Sequence, residues 1–200
     1  MSLASRLKNR IHLIRERAAD RRLGIEATEY HPPHYPGLPE YRGYGPTAYC
    51  DWRIIERYIE ARPDTAFVDY GSGLGRSTIL AALLPFARSI GVEFDADLVR
   101  RANADLARLR CKTACPVEYV CCDASTFDVP NDAGVFYFCN PFTGSILDGV
   151  LLNIRKSLDC FPRRAQLVCN LPERSGFEDQ IRTVDWLVES RSLAVLRRAS

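Results

Sequence analysis

Three glycines at alternate positions mark the segment of this sequence that is best suited to binding a ligand. They are Gly71, Gly73 and Gly75. A short apolar run that predicts a buried strand precedes them, and a helical pattern follows. Glycine lets the backbone turn sharply and approach a ligand closely, so a side chain at Gly73 is expected to enter the ligand's space. A dinucleotide site more usually has G-x-G-x-x-G spacing. The closer spacing here, with Asp69 two residues ahead, favours a ligand without a phosphate whose amino-acid end lies over the loop.

Two more acids follow predicted strands farther along the chain. Glu93 comes about 20 residues after the glycine loop, where a carboxylate can accept hydrogen bonds from both hydroxyls of a ribose. Asp123 ends the next strand and can accept from an adenine amine, while the backbone N–H of Ala124 can donate to a ring nitrogen. The alternative for Asp123 is a loop aspartate that caps a turn.

A fourth segment, Asn140-Pro141-Phe142, directly follows the apolar strand predicted for Val135–Cys139. In open α/β sheets, ligands bind at the carboxyl ends of the strands. All four segments lie at such ends and occur in chain order. The sequence therefore predicts that they meet in one cleft.

The elements that must position these residues alternate between strand and helix from Thr65 onward, which predicts a parallel sheet with helices on both faces. The predicted strands are Ala66–Tyr70, Arg88–Phe94, Val117–Cys122, Val135–Cys139 and Gln166–Asn170. The predicted helices between them are Ser77–Leu84, Asp97–Arg110 and Ile146–Leu158. A terminal hairpin is predicted from Val184–Glu189 and Leu193–Arg197.

From Thr65 to the C-terminus, the combination of these motifs resembles the class I S-adenosylmethionine-dependent methyltransferases. The segments F-V-D-Y-G-S-G-L-G-R and N-P-F look closest to small bacterial members, with a distant similarity to the Dot1 type. The resemblance implies an α/β, Rossmann-like, seven-stranded and mostly parallel sheet, and S-adenosylmethionine as cofactor. It implies that Asp69, Gly71 and Gly73 line the methionine end, Glu93 the ribose and Asp123 the adenine. Ser72, Gly75, Phe94 and Ala124 are further candidate cofactor-binding residues.

The resemblance also assigns the acceptor side to Asn140, Pro141 and Phe142, the candidate catalytic residues. Amine-directed members usually carry two prolines at this point, and this chain has one. The implied reaction is in-line transfer of the sulfonium methyl group to an unidentified acceptor, with an amine nitrogen of a protein or small molecule as the suggested target. Asn140 would also contact the cofactor and orient the acceptor. Because the cofactor supplies an activated methyl group, the protein mainly has to position the reactants and exclude water from them.

The first 63 residues are expected to form an N-terminal extension to a methyltransferase domain over residues 64–200. Residues 3–23 predict a helix whose apolar stripe packs on the domain while its basic side faces solvent; contact with a membrane surface or nucleic acid stays an alternative. The stripe consists of Leu3, Leu7, Ile11, Ile14 and Ala18. A helix is predicted at Tyr49–Ala61. The proline- and tyrosine-rich segment before it predicts a lid over the methionine end, with Tyr44 and Thr47 as contacts, or else a wrap around the back of the sheet.

Composition excludes several other classes. With a net charge of +2 and no long apolar stretch, neither nucleic-acid binding nor membrane insertion is indicated, and a cytoplasmic protein is expected. The eight cysteines lack zinc-site spacing and are expected to be buried thiols, and no metal is predicted. Arg76 opposes the dipole of the helix it begins, which predicts an anionic partner: a cofactor carboxylate or a protein acid.

Two other functions fit parts of this pattern. An NAD-dependent oxidoreductase shares the glycine loop and the acid after the second strand, but it does not predict Asp69, Asp123 and N-P-F together. A non-catalytic module that binds S-adenosylmethionine predicts cofactor affinity without transfer. The sequence does not specify the acceptor or the oligomeric state.

Overall fold

The computed structural model describes residues 3–29, 40–170, 186–189 and 193–198. Its helices are α1 (Leu3–Leu23), α2 (Tyr49–Ile55), α3 (Arg76–Ala81), α4 (Ala96–Ala107) and α5 (Gly144–Cys160). Its strands are β1 (Ala66–Tyr70), β2 (Arg88–Glu93), β3 (Val117–Cys121), β4 (Ala133–Phe138), β5 (Gln166–Asn170), β6 (Trp186–Glu189) and β7 (Leu193–Arg198). The predicted helix at Tyr49–Ala61 ends six residues early, at Ile55.

The strands lie in the order β3-β2-β1-β4-β5-β7-β6. The sheet of the structure has two parts. Strands β1 to β5 are parallel, and β6 and β7 form an antiparallel hairpin that pairs with β5 through β7. From β1 the chain runs outward to β2 and β3, and it then returns to β4 on the other side of β1. This reversal makes the carboxyl ends of β1 and β4 the topological switch point, where such sheets bind ligands.

The two faces of the sheet are buried by different helices, as the period of two along a strand requires. On β1, Val68 and Tyr70 face the cluster that contains the buried side of α5, whereas Phe67 faces α2 and α3. All five residues of β1 are buried, including Asp69, which agrees with the apolar character of the other four. The expectation of a parallel sheet covered by helices on both faces is confirmed.

The prediction for the apolar stripe of α1 is wrong. Leu7, Ile11 and Ile14 are exposed, whereas Glu16 and Asp20 form the buried face of the helix. The physical reason is the buried Arg76, which binds both acids and so determines which side of α1 meets the domain. Among the described residues, none of the helices has the length and apolar character that crossing a membrane requires.

All eight cysteines are free thiols, but the expectation that they are buried holds only in part. Cys115 and Cys169 are buried, while Cys50, Cys121 and Cys160 are exposed. Within the described ranges, histidine, cysteine and acidic side chains do not gather into groups of three that are able to hold a metal ion.

Candidate functional site

The glycine loop between β1 and α3 has the left-handed backbone that only glycine adopts easily. The φ angles are 72° at Gly71, 55° at Gly73 and 79° at Gly75. A Cβ atom at Gly73 would lie 2.1 Å from Cδ2 of Tyr44. The space over Gly73, which we expected to belong to a ligand, is therefore filled by a ring from the N-terminal extension.

Glu93 stands at the end of β2, beside this loop. Its Oε2 accepts from the backbone N–H of Gly73 at 2.9 Å, and its Oε1 accepts from that of Asp95 at 3.0 Å. The side chain is buried, with 7% of the residue exposed, and burial raises the pKa of its carboxyl group. Each carboxylate oxygen can accept more than one hydrogen bond, so both retain capacity for a ligand.

Asp69 is buried and directed toward the start of α3. Its Oδ2 accepts from the hydroxyls of Ser77 at 2.6 Å and Thr78 at 2.8 Å. Burial raises the pKa of Asp69 to about 6, although these two hydrogen bonds oppose the shift. The structure thus shows Asp69 tying the glycine loop to α3, and it is not among the residues that line the cleft beside the loop.

Arg76 has protein acids as its anionic partners, which is one of the two outcomes we expected. Its guanidinium contacts Glu16 at 2.6 Å and Asp20 at 2.8 Å, and it also donates to the carbonyl of Thr47 at 3.1 Å. The ring of Tyr49 lies 4.6 Å from the guanidinium carbon. These contacts fix α1 and the segment before α2 on the first turn of α3.

Asp123 caps the short 3-10 turn Ala124–Thr126, the alternative that the sequence left open. Its Oδ1 accepts from the backbone N–H of Ser125 at 2.8 Å, and its Oδ2 accepts from the hydroxyl of Tyr41 at 2.8 Å. Burial favours the protonated form, but the hydrogen bonds from Ser125 and Tyr41 outweigh it and lower the pKa of Asp123. Ala124 lines the cleft.

The Asn140-Pro141-Phe142 segment is paired with the N-terminal extension. The carbonyl of Pro141 accepts from the N–H of Arg42 at 2.9 Å, and Phe142 forms an isolated antiparallel bridge with Tyr41. Phe142 is buried against Phe138 in an edge-on contact. Asn140 has a φ of 47°, and within the described ranges its Oδ1 is buried without a hydrogen-bond partner. Such a backbone conformation is uncommon outside glycine and costs free energy.

One cleft joins these segments, with an empty volume of about 510 Å³ that includes its open mouth. Its walls come from the ends of β1, β2 and β4, from the turn after β3, and from residues 41–45 of the extension. The lining residues are Tyr41, Arg42, Gly43, Tyr44, Gly45, Gly71, Val92, Glu93, Phe94, Leu98, Cys122, Ala124, Cys139, Pro141 and Phe142. Of the predicted site residues, Tyr44, Gly71, Glu93, Phe94, Ala124, Pro141 and Phe142 are thus brought together, while Asp69, Ser72, Gly73, Gly75, Thr47, Asp123 and Asn140 lie behind or beside the wall.

Residues 40–47 of the extension lie at the carboxyl edge of the sheet. We call residues 40–47 the strap. Its Tyr44 ring packs on Gly73 and its Thr47 hydroxyl is 2.7 Å from that of Tyr137. Glu40 fastens the other end, because its carboxylate accepts from the N–H and hydroxyl of Ser145 at the start of α5. The alternative that this segment wraps the back of the sheet is wrong for residues 40–47.

Comparison with known proteins identifies the architecture. An RNA methyltransferase from Salinibacter ruber, solved with S-adenosyl-L-homocysteine, has a TM-score of 0.50 and 21% identity over 76% of this chain and 92% of that one. A precorrin 8W decarboxylase from Methanobacterium thermoautotrophicum has a TM-score of 0.57 and 19% identity over 83% and 95%. A TehB-like SAM-dependent methyltransferase from Corynebacterium glutamicum has a TM-score of 0.50 and 16% identity over 76% and 88%.

The chain has a Rossmann-like methyltransferase fold. No family model matches the sequence, and no curated protein shows significant sequence similarity to it. The solved structures therefore establish the fold alone, because their sequence identities are low.

Within this methyltransferase fold, several residues of the site escaped the sequence analysis. The ring of Tyr41 packs at a tilt of 42° against that of Phe94, with ring centroids 4.2 Å apart, and its hydroxyl donates to Asp123. Tyr119 fills the space beside Gly75, since a Cβ there would lie 2.1 Å from its hydroxyl. Only the spacing of Glu16 and Asp20, four residues apart in α1, offered a signal: it predicts one acidic helix face that a cation such as Arg76 can meet.

Proposed function

We propose that this chain is an S-adenosylmethionine-dependent methyltransferase. The observation that carries the proposal is the carboxylate of Glu93, which is buried in the wall of a cleft at the switch point and oriented by two backbone N–H groups. A carboxylate fixed in this way is suited to two adjacent hydroxyls, and it occupies the sequence position where the fold's resemblance implies a ribose ligand.

The residues present fit this cofactor. The lining of the cleft combines apolar and aromatic side chains, such as Val92 and Phe94, with one buried carboxylate, Glu93, as the walls of small-molecule sites do. We assign the methionine end to the part of the glycine loop at Gly71, which lines the cleft, the ribose to Glu93, and the adenine to the surface between Phe94 and Ala124.

One predicted ligand is reassigned within this proposal. Asp69 supports the glycine loop through Ser77 and Thr78 and acts on a cofactor only by holding the loop in place. Asp123, by contrast, lies beside the lining residues Cys122 and Ala124, and its oxygens have further acceptor capacity.

The cofactor supplies an activated methyl group when bound, so the chain's own residues have to position the acceptor and exclude water. The strap covers the mouth of the cleft through Tyr41 and Tyr44. At the end of β4, beside the wall of the cleft, Asn140 has a positive φ and a buried Oδ1 to which the described residues donate no hydrogen bond, a combination that suggests a functional constraint. We assign to this oxygen the role of accepting a hydrogen bond from the acceptor.

The expected acceptor is an amine nitrogen of a protein or small molecule. The carbonyl of Pro141, the other acceptor expected at such a site, already receives the N–H of Arg42. Asn140 therefore orients the acceptor alone while the strap is in place. Because one structural neighbour is described as an RNA methyltransferase, RNA also belongs among the acceptors to be tested.

The test is methyl transfer from labelled S-adenosylmethionine to pools of amines, small molecules, proteins and RNA. We expect label in one pool with the wild-type protein, and with Asn140→Ala a reduction in transfer that is much larger than any loss of cofactor affinity. Cofactor binding without transfer to any pool would instead favour the non-catalytic module. Binding of NAD in place of S-adenosylmethionine would favour the oxidoreductase.

A further inference from the structure

The first half of α1 exposes an apolar stripe on the side that faces away from the domain. Leu7, Ile11 and Ile14 are 59%, 43% and 61% exposed, and Ala18 continues the line. Their spacing of four, three and four residues places them on one face of the helix. Large aliphatic side chains exposed in a continuous row are a feature of interaction surfaces.

The outward direction of this stripe is fixed by the ion pairs on the other side of α1. Glu16 lies two positions after Ile14 of the stripe, and Asp20 lies two positions after Ala18. Residues two apart point to nearly opposite sides of a helix. Both acids are buried against Arg76. Turning the stripe toward the domain would break this network, so the stripe is available to a partner.

The charges that remain exposed on α1 are all basic. Its only acids are Glu16 and Asp20, and both are buried. Basic residues border the stripe on both sides: Lys8, Arg15 and Arg22 along one edge, and Arg10 and Arg17 along the other. In heptad terms the stripe occupies the a and d positions, and these basic residues occupy the e and g positions.

This pattern discriminates among possible occupants. Two copies of α1 packed through their stripes would place basic residues opposite basic residues, which disfavours self-association. A helix that lies in a lipid surface has a broad apolar face, whereas this stripe is one residue wide between two charged edges. A narrow a/d seam bordered by e/g charges is the pattern of a coiled-coil interface.

We propose that the outer face of α1 docks an acidic amphipathic helix of a partner protein, with apolar a and d positions and Glu or Asp at e and g. The apolar stripe provides the seam, and the two basic edges select an acidic partner through interhelical ion pairs. The docked helix lies on the side of α1 opposite Arg76, so it does not compete with the contacts that hold the strap.

The test uses the full-length protein and two labelled synthetic peptides of the same length as α1. The first has Leu at a and d and Glu at e and g; the second keeps every Glu but has Ser in place of Leu. Fluorescence anisotropy should show binding of the first peptide that weakens at least about tenfold when salt rises from about 0.05 M to about 0.5 M. It should also show at least about tenfold weaker binding of the second peptide.

Matched variants locate the surface. Ile11→Gln with Ile14→Gln should reduce binding of the first peptide at least about tenfold, because glutamine keeps the helix but removes the seam. Leu152 is an exposed leucine in α5, and Leu152→Gln should leave binding of the first peptide unchanged. Circular dichroism checks that both proteins remain folded.

Four results would overturn the proposal. The protein could bind the two peptides equally, or the Ile11/Ile14 and Leu152 variants could lose the same affinity for the first peptide. The protein could form dimers that the Ile11/Ile14 variant abolishes, or it could bind anionic phosphatidylglycerol vesicles or a uridine oligonucleotide more tightly than the first peptide. The last would reassign the face to a lipid surface or to RNA.

Discussion

The two halves of the cleft differ in how much hydrogen-bonding capacity they leave for a ligand. On the cofactor side, Glu93 is oriented by two backbone donors and still has lone pairs that face the cleft. On the acceptor side, the strap takes the carbonyl of Pro141 through Arg42 and bridges Phe142 through Tyr41. Glu93 therefore keeps hydrogen-bonding capacity on the cofactor side, although Tyr44 of the strap packs on Gly73 there, whereas the Pro141 carbonyl on the acceptor side is already bonded to the strap.

The difference arises from which parts of the chain build each half. The cofactor side consists of consecutive strand ends, and its residues are close in sequence. The acceptor side is completed by the strap, about a hundred residues away in sequence from the α5 residue that Glu40 caps. Four predictions test this division, in order of expected effect.

Arg76→Gln should lower the free energy of unfolding by about 3–5 kcal/mol, because it leaves Glu16 and Asp20 buried without their cation. The matched control is Arg88→Gln, which also loses two acidic partners but at a side chain that is 37% exposed rather than 1%. We expect it to lose less than about 1 kcal/mol in denaturant unfolding. Reduced cofactor affinity in Arg76→Gln without loss of stability would instead place Arg76 on the cofactor.

Glu93→Ala should weaken binding of S-adenosylhomocysteine by about 2–4 kcal/mol, because two hydrogen bonds to a charged acceptor are lost. Isothermal titration calorimetry measures the change. Glu93→Gln keeps one acceptor oxygen and should lose less, and Glu118→Ala, on the exposed surface of β3, should lose nothing. If Glu93→Ala binds S-adenosylhomocysteine as tightly as the wild-type protein, the cofactor does not bind at the position that we propose.

Asp69→Asn should change how stability depends on pH. The folded pKa of Asp69 is raised by burial to about 6, so its stabilising contribution is largest below its ordinary pKa and is lost as the pH rises to about 6. Relative to the variant, the wild-type protein should lose stability between about pH 4 and pH 6, at about 1.4 kcal/mol for each unit of pKa shift. A difference between the two proteins that is constant over this interval would show that burial does not raise this pKa.

Tyr41→Phe should cost about 1 kcal/mol of stability, because the strap loses its hydrogen bond to Asp123. It should also raise the pKa of Asp123, which this hydrogen bond helps to lower. Carboxyl NMR titration follows the pKa, and Tyr58→Phe, on an exposed tyrosine, serves as control. If neither quantity changes, the hydrogen bond between Tyr41 and Asp123 does not help to hold the strap.

Local pattern predicted the sheet, because strands such as β1 bury both faces and carry their signal in every residue. It also predicted which loops meet, since parallel strands share one carboxyl edge. It failed for α1, where the apolar stripe suggested the buried face although a distant arginine determines the packing. It also missed Tyr41 and Tyr119, because the residues that they contact, Asp123 and Gly75, are distant in sequence and meet them only through tertiary packing.

Titration of the wild-type protein with S-adenosylhomocysteine, and separately with NAD, tests the central claim most directly. We predict saturable binding of S-adenosylhomocysteine by calorimetry at one site per chain, together with an increase in melting temperature, and no binding of NAD. Absence of binding to S-adenosylhomocysteine, or binding of NAD in its place, would contradict the account.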